Sequence, residues 1–182
     1  RLEHSDTAPN PELTPQPVDR LGPGRRQRRG VRRDLPQGPM KISDDLLICH
    51  GSLLDEDEYL LASLDAVESL LSVTDRVTFF GHTHVPTLFS QQVEDGQQTL
   101  RARLLTGSRT VIDLEPETRY LINPGSVGQP RHRDPRAPYA IYDEKSRRVY
   151  LYRVPYRASG ARRRIIQAGL PPVLGDRLLH GA

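Results

Sequence analysis

The alternation of apolar and polar positions changes character at residue 35. Over residues 1–34 large apolar side chains are sparse, follow neither a helical nor a strand period, and are interrupted by five Pro and three Gly. Such a segment has too little to bury and is expected to be disordered. Beyond it apolar runs recur. Leu46-Leu47-Ile48-Cys49 reads as a buried strand ending at His50-Gly51. Asp55 with Glu58 three residues on has the form of a capping box, and Leu60, Leu64, Val67 and Leu71 follow at spacings of four, three and four. That pattern predicts an amphipathic helix over 55–72. Residues 76–80 form a second buried strand that again runs straight into Gly-His, so strand, helix and strand together predict a βαβ unit.

The middle of the chain is rich in strand signals. Residues 87–92 and 97–105 flank Glu94-Asp95-Gly96, a hairpin turn sequence. A strand over 118–122 ends in the turn sequence Asn123-Pro124-Gly125-Ser126, and 139–142 and 148–154 flank Asp143-Glu144-Lys145-Ser146 as a second hairpin. Short helical patterns follow near 160–168 and 173–179, separated by Gly169-Leu170-Pro171-Pro172. No internal repeat at solenoid periods is present. The expected fold class is α/β.

Charge sharpens the division at residue 35. The chain has 182 residues, 36% hydrophobic and 27% charged, with a formal net charge of +3. Residues 1–34 hold eight Arg against five acids and carry that whole excess; residues 35–182 are balanced. Six Arg fall within residues 24–33. Such a run suits phosphate backbones or acidic surfaces, but no aromatic residue lies in 1–34 to stack on bases. Nucleic-acid binding is therefore an alternative, not the leading expectation. No apolar run approaches the roughly 18–20 residues of a membrane span, and no secretory-type stretch is visible. The single cysteine, Cys49, excludes an intramolecular disulfide framework and fits a reducing compartment; with no targeting signal visible, a cytoplasmic location is expected. Placed inside a strand, Cys49 reads as a core residue, not a nucleophile.

The chemistry concentrates in histidines. In Gly81-His82-Thr83-His84 two His at i and i+2 follow a buried strand, and they converge if the backbone bends, which Gly81 permits. Neutral imidazoles suit Zn, Fe, Mn and similar ions. His50 leaves its own strand in the same way. Sites in α/β sheets lie outside the carboxyl ends of the strands, so parallel neighbouring strands would bring His50, His82 and His84 to one edge. His132 and His180 lack that context and read as surface residues.

Three segments in order then carry a resemblance: His50-Gly51-Ser52, Gly81-His82-Thr83-His84-Val85-Pro86, and Ile122-Asn123-Pro124-Gly125-Ser126-Val127-Gly128-Gln129-Pro130-Arg131. Together, and continuing through Asp134-Pro135-Arg136-Ala137, the chain resembles the C-terminal half of a calcineurin-like metallophosphoesterase of the bacterial-type phosphodiesterase subgroup. The resemblance covers nearly all of 35–182. It implies part of a four-layer α/β/β/α sandwich with two divalent metal ions (Mn, Fe, Zn or similar) between the sheets. His50 and His82 would ligate one metal and His84 the other, and a metal-activated water would hydrolyse a small-molecule phosphate ester. The same resemblance places the Asn123 turn beside the site and makes Arg131 a phosphate contact through its fork of donors; both are expected substrate-binding residues.

The family pattern also includes Asp-x-His, a Gly-Asp segment with a metal-bridging Asp, and Gly-Asn-His, all upstream of His50. This sequence has no Asp-x-His, its two Asn (Asn10 and Asn123) do not precede a His, and its one Gly-Asp is Gly175-Asp176 near the C-terminus. No catalytic acid or bridging carboxylate is assignable. The expectation is a fold lacking its N-terminal half, with residues 1–34 not native to the domain and little or no activity in this chain alone, which binds fewer metals or none. Marginal stability and exposed apolar surface follow. So does a further alternative: a noncatalytic fragment that self-associates or pairs with a complementing half-domain.

Overall fold

A computed structural model of the chain describes residues 38–72 and 76–182. The expectation for residues 1–34 lies outside them. Strands β1 (Met40–Lys41), β2 (Leu46–Ile48), β3 (Val77–Phe79), β4 (Thr87–Glu94), β5 (Gln97–Leu104) and β7 (Thr118–Asn123) form a six-stranded mixed sheet in the order β1-β2-β3-β7-β4-β5. Strands β6 (Arg109–Asp113), β8 (Ala137–Asp143) and β9 (Arg148–Val154) form an antiparallel sheet in the order β6-β9-β8. The helices are α1 (Ser63–Ser72), α2 (Ala158–Gln167) and α3 (Pro172–His180).

The βαβ unit is present: β2 and β3 run parallel, with Leu46 opposite Val77 and Ile48 opposite Phe79, and α1 connects them. β7 is parallel to β3 on the other side, with Phe79 opposite Ile122. β4 then runs antiparallel to β7, Thr87 opposite Asn123. Asp95 and Gly96, both at positive φ, make the two-residue hairpin turn between β4 and β5, the geometry that matches strand twist. β6 was not anticipated; only one of its five residues is buried, which leaves little apolar pattern to read.

Two apolar layers hold this together. Val77, Leu88 and Ile122 of the large sheet pack with Ile112, Val149 and Leu151 of the small one. On the opposite face of the large sheet, Ala66 and Leu70 of α1 pack with Leu60, Phe80, Phe89 and Leu121. The described architecture is thus helix, sheet, sheet, with α2 and α3 paired as a hairpin.

The predicted helix over 55–72 needs correction: it begins at Ser63. Asp55 does not cap it. Its carboxylate accepts from the Asp57 amide at 2.9 Å, closing a local turn, while Asp65 accepts the amides of Leu61 and Ala62 at 2.9 and 2.8 Å. The predicted stripe is also rotated. Leu60 is buried, but as a loop residue, and Leu64 and Leu71 are exposed at 81% and 52%.

Candidate metal centre

Three strands end at one edge of the large sheet. Hydrogen bonding persists just past them: the Cys49 amide donates to Phe79, that of Phe80 to Ile122, and that of Gly81 to His50, at 2.9, 3.0 and 2.8 Å. His50, the 81–86 loop and Asn123 are therefore set side by side by the register of β2, β3 and β7. Gly51 is required by close approach: a Cβ there would lie 2.4 Å from the Glu56 carbonyl oxygen.

His82 Nδ1 lies 3.0 Å from His50 Nε2, and the rings meet edge-on with centroids 4.9 Å apart. His84 is near enough that His82, His50 and Arg131 all act on its charge. Its pKa is lowered first by burial and next by Arg131, against a raising contact with the Gln129 backbone. The bend in this loop differs from expectation. The residues at positive φ are His82 (54°) and His84 (60°) themselves, not Gly81. For residues with a Cβ this left-handed conformation costs of order 1–3 kcal/mol each.

The polar atoms test whether a cation fits. His82 Nε2 and His84 Nδ1 are buried without a hydrogen-bond partner among the described residues, a state that buried polar groups rarely tolerate. His82 Nδ1 and His50 Nε2 are close enough to share one cation in place of the proton between them, and the partnerless His84 Nδ1 would be open to another; His82 Nε2 faces away from its own Nδ1 and would not meet the cation shared with His50. Among the described residues no cluster of three or more His, Cys, Asp or Glu groups forms a ready-made ligand set.

Asn123 has no exposed surface. Its amide nitrogen donates to the Gly81 carbonyl at 2.7 Å and to Thr83 Oγ1 at 2.8 Å, and its oxygen accepts from Gly125 at 2.8 Å. It lies behind the histidine loop, bonded to it at two points. Arg131 is exposed, donates to Gln129 Oε1 at 2.9 Å and stands 6.0 Å over the Tyr59 ring. Tyr59 was not singled out from the sequence. Its ring lies 4.1 Å from that of His82, so it joins His82 to Arg131. An isolated aromatic in an acidic turn offers no pattern that would have found it. Cys49 is half-buried with its thiol pushed up to about 11 by burial, which suits no nucleophile. His132 is not the surface residue expected: it is half-buried, its two ring nitrogens lack partners among the described residues, and burial followed by Arg153 lowers its pKa. His180 is exposed.

Histidines at the carboxyl ends of parallel strands, in a helix-covered sheet with a second sheet packed on its other face, are the arrangement of a metallophosphoesterase-like α/β protein. The calcineurin-like phosphoesterase superfamily domain matches residues 25–147, and the chain belongs to that superfamily. A metallophosphoesterase from Sphaerobacter thermophilus superposes with a TM-score of 0.70 at 35% identity, covering 82% of this chain and 61% of that one. A hypothetical protein from Pyrococcus horikoshii superposes with a TM-score of 0.59 at 19% identity, covering 84% and 53%, and shares the fold. An uncharacterized protein of Methanocaldococcus jannaschii is 38% identical over 124 residues, 68% of this chain and 46% of its own length. The chain thus spans about half the length of its archaeal relative. Among the described residues no helix is long and apolar enough to cross a membrane.

Proposed function

We propose that this chain carries the histidine side of a two-metal phosphoesterase centre, with His50 and His82 as ligands of one divalent cation and His84 as a ligand of the other. The observation that carries the reading is the 3.0 Å approach of His82 Nδ1 to His50 Nε2, with the buried Nδ1 of His84 left without a partner among the described residues. When bound, divalent cations would supply Lewis-acid polarisation of a phosphoryl oxygen and a water of lowered pKa. The chain's own contribution is positional. The strand ends fix where the imidazoles stand, Tyr59 packs against the His82 ring, and the exposed guanidinium of Arg131 offers a bidentate contact to a phosphate-ester oxygen pair. The substrate class is a small-molecule phosphomonoester or diester. No residue of the sequence is assigned as bridging carboxylate or general acid, so turnover by this chain alone is expected to be very low.

The test is hydrolysis of a chromogenic phosphodiester with added Mn²⁺, together with Mn²⁺ titration of the chain. Mn²⁺ binding that is weakened in His82→Ala, with little turnover, agrees with the reading. Absence of binding to the unsubstituted chain removes the metal centre, and robust turnover abolished in His84→Ala removes the claim of low activity. A second reading, a noncatalytic unit that associates with itself or a complementing half-domain, is favoured by one observation: Leu61, Leu64 and Leu71 are exposed at 64%, 81% and 52% along α1 and its approach.

A further inference from the structure

We infer that Asn123, acting through Thr83, is a positioning residue that holds His82 and His84 in their strained conformations so that both imidazoles face the metal site. The inference rests on the phosphoesterase reading above.

The strand order makes this residue necessary. β3 and β4 are not neighbours; β7 lies between them. The chain leaving β3 must therefore arch across the end of β7 before it starts β4, and the arch carries both His82 and His84. The last residue of β7 is Asn123, directly opposite Thr87 at the start of β4. Its side chain fills the space beneath the arch, wholly buried. One amide hydrogen goes to the Gly81 carbonyl, where the arch leaves β3, and the other to Thr83 Oγ1, midway between the two histidines. The carbonyl oxygen takes the Gly125 amide and starts the segment that ends in Arg131.

Thr83 is the point of grip. It is 2% exposed, and its hydroxyl, held by Asn123, also receives the Val85 amide at 3.4 Å. The residues on either side of it are the two at positive φ. Left-handed backbone at residues with a Cβ persists only where the surroundings over-determine it. Here the Thr83 amide and hydroxyl both donate to the Gly81 carbonyl, at 2.6 and 3.4 Å, and the Asn123 amide, with two donors and one acceptor all engaged, ties that turn to the end of β7. No isostere without those donors can replace it: an aspartate keeps the oxygen for Gly125 but has nothing to give Gly81 or Thr83.

The experiment uses the whole chain with Co²⁺ as spectroscopic probe, comparing Asn123→Asp, Thr83→Val and Thr83→Ser. Affinity and the visible absorption of the Co²⁺-saturated protein are read at a temperature where circular dichroism shows each variant folded. The unsubstituted chain and Thr83→Ser are expected to bind alike, while Asn123→Asp and Thr83→Val lose 10–100-fold in affinity, the range for groups that orient metal ligands, and give an altered absorption envelope. Should Asn123→Asp fail to fold, Thr83→Val decides, since it removes the hydroxyl at constant volume. A variant that melts earlier yet binds Co²⁺ within twofold of the unsubstituted chain, with the same spectrum, makes Asn123 merely structural and overturns the inference while leaving the metal centre in place. If the unsubstituted chain itself does not bind Co²⁺, the phosphoesterase reading fails and this inference with it.

Discussion

Asp134 is the joint between the segment bearing Arg131 and the small sheet, and its removal is expected to loosen both. Arg136 grips it with Nη2 at 2.6 Å and Nε at 2.9 Å, and the Arg136 amide adds a third contact at 3.1 Å. Arg153 Nε lies 3.6 Å away with its side chain only 7% exposed, and its other nitrogens donate to the carbonyls of Leu105 and Gly107. The Arg136 contact, opposed by desolvation, holds the Asp134 carboxyl down from 3.8 to about 2. At about 1.4 kcal/mol per unit that is roughly 2.5 kcal/mol, which solvent screening at this partly exposed group reduces to about 1 kcal/mol. That figure already includes the attraction of the Arg153 guanidinium, which Asp134→Asn leaves beside a neutral group. The expected destabilisation at pH 7 is therefore about 1 kcal/mol by urea unfolding. A carboxylate of depressed pKa contributes fully above its unfolded value near 4 and loses that contribution as pH falls through about 2. The gap between the two proteins should therefore close by about 1 kcal/mol between pH 4 and 2. A variant within about 0.5 kcal/mol of the parent at pH 7, or a gap that widens on acidification, refutes the argument.

Tyr59→Ala removes the ring against His82; an aromatic contact of about 0.5–1.5 kcal/mol predicts a roughly 3–10-fold loss of Mn²⁺ affinity by calorimetry, and Tyr59→Phe should restore it. Gly51→Ala puts a methyl 2.4 Å from the Glu56 carbonyl oxygen; the 51–56 turn must move, and a drop of several degrees in melting temperature is expected, with unchanged melting showing that the turn yields freely. The double substitution Leu64→Lys with Leu71→Lys should abolish concentration-dependent association in sedimentation velocity and leave monomer stability within about 0.5 kcal/mol, because neither side chain joins the core.

What the sequence disclosed and what it hid follow from the range of the interactions. β2, β3 and β7 were readable because buried parallel strands are continuous apolar runs, and the β4–β5 hairpin because Asp95-Gly96 has one favoured turn. The start of α1 was not readable: Asp55 has the composition of a cap, but Leu60 packs in the core as a loop residue and the helix begins at Ser63, with Asp65 of its first turn reaching back to the amides of Leu61 and Ala62. The histidines stood out by their place at strand exits. Asn123 was visible only as a turn residue, since its role depends on which strands are neighbours, and no local pattern encodes the order β3-β7-β4. Tyr59 escaped for the same reason, its partners lying 23 and 72 positions away along the chain.

That dependence on strand order carries a mechanical consequence. Among the described residues no helix is dedicated to the candidate centre; His50 and the 81–86 arch hang from strand ends whose separation is fixed by main-chain hydrogen bonds. Rigid sheet ends hold ligands more closely than loops do, but they also couple the site to the core. Ile122, immediately before Asn123, is fully buried between the sheets, and Leu121 is buried on the α1 side. A cavity made at either residue shifts the end of β7, and with it the amide that grips Thr83. Core substitutions in β7 should therefore weaken metal binding beyond their effect on folding, whereas cavities of equal volume in β9, such as Val149→Ala, should lower stability and leave the affinity of the folded protein unchanged.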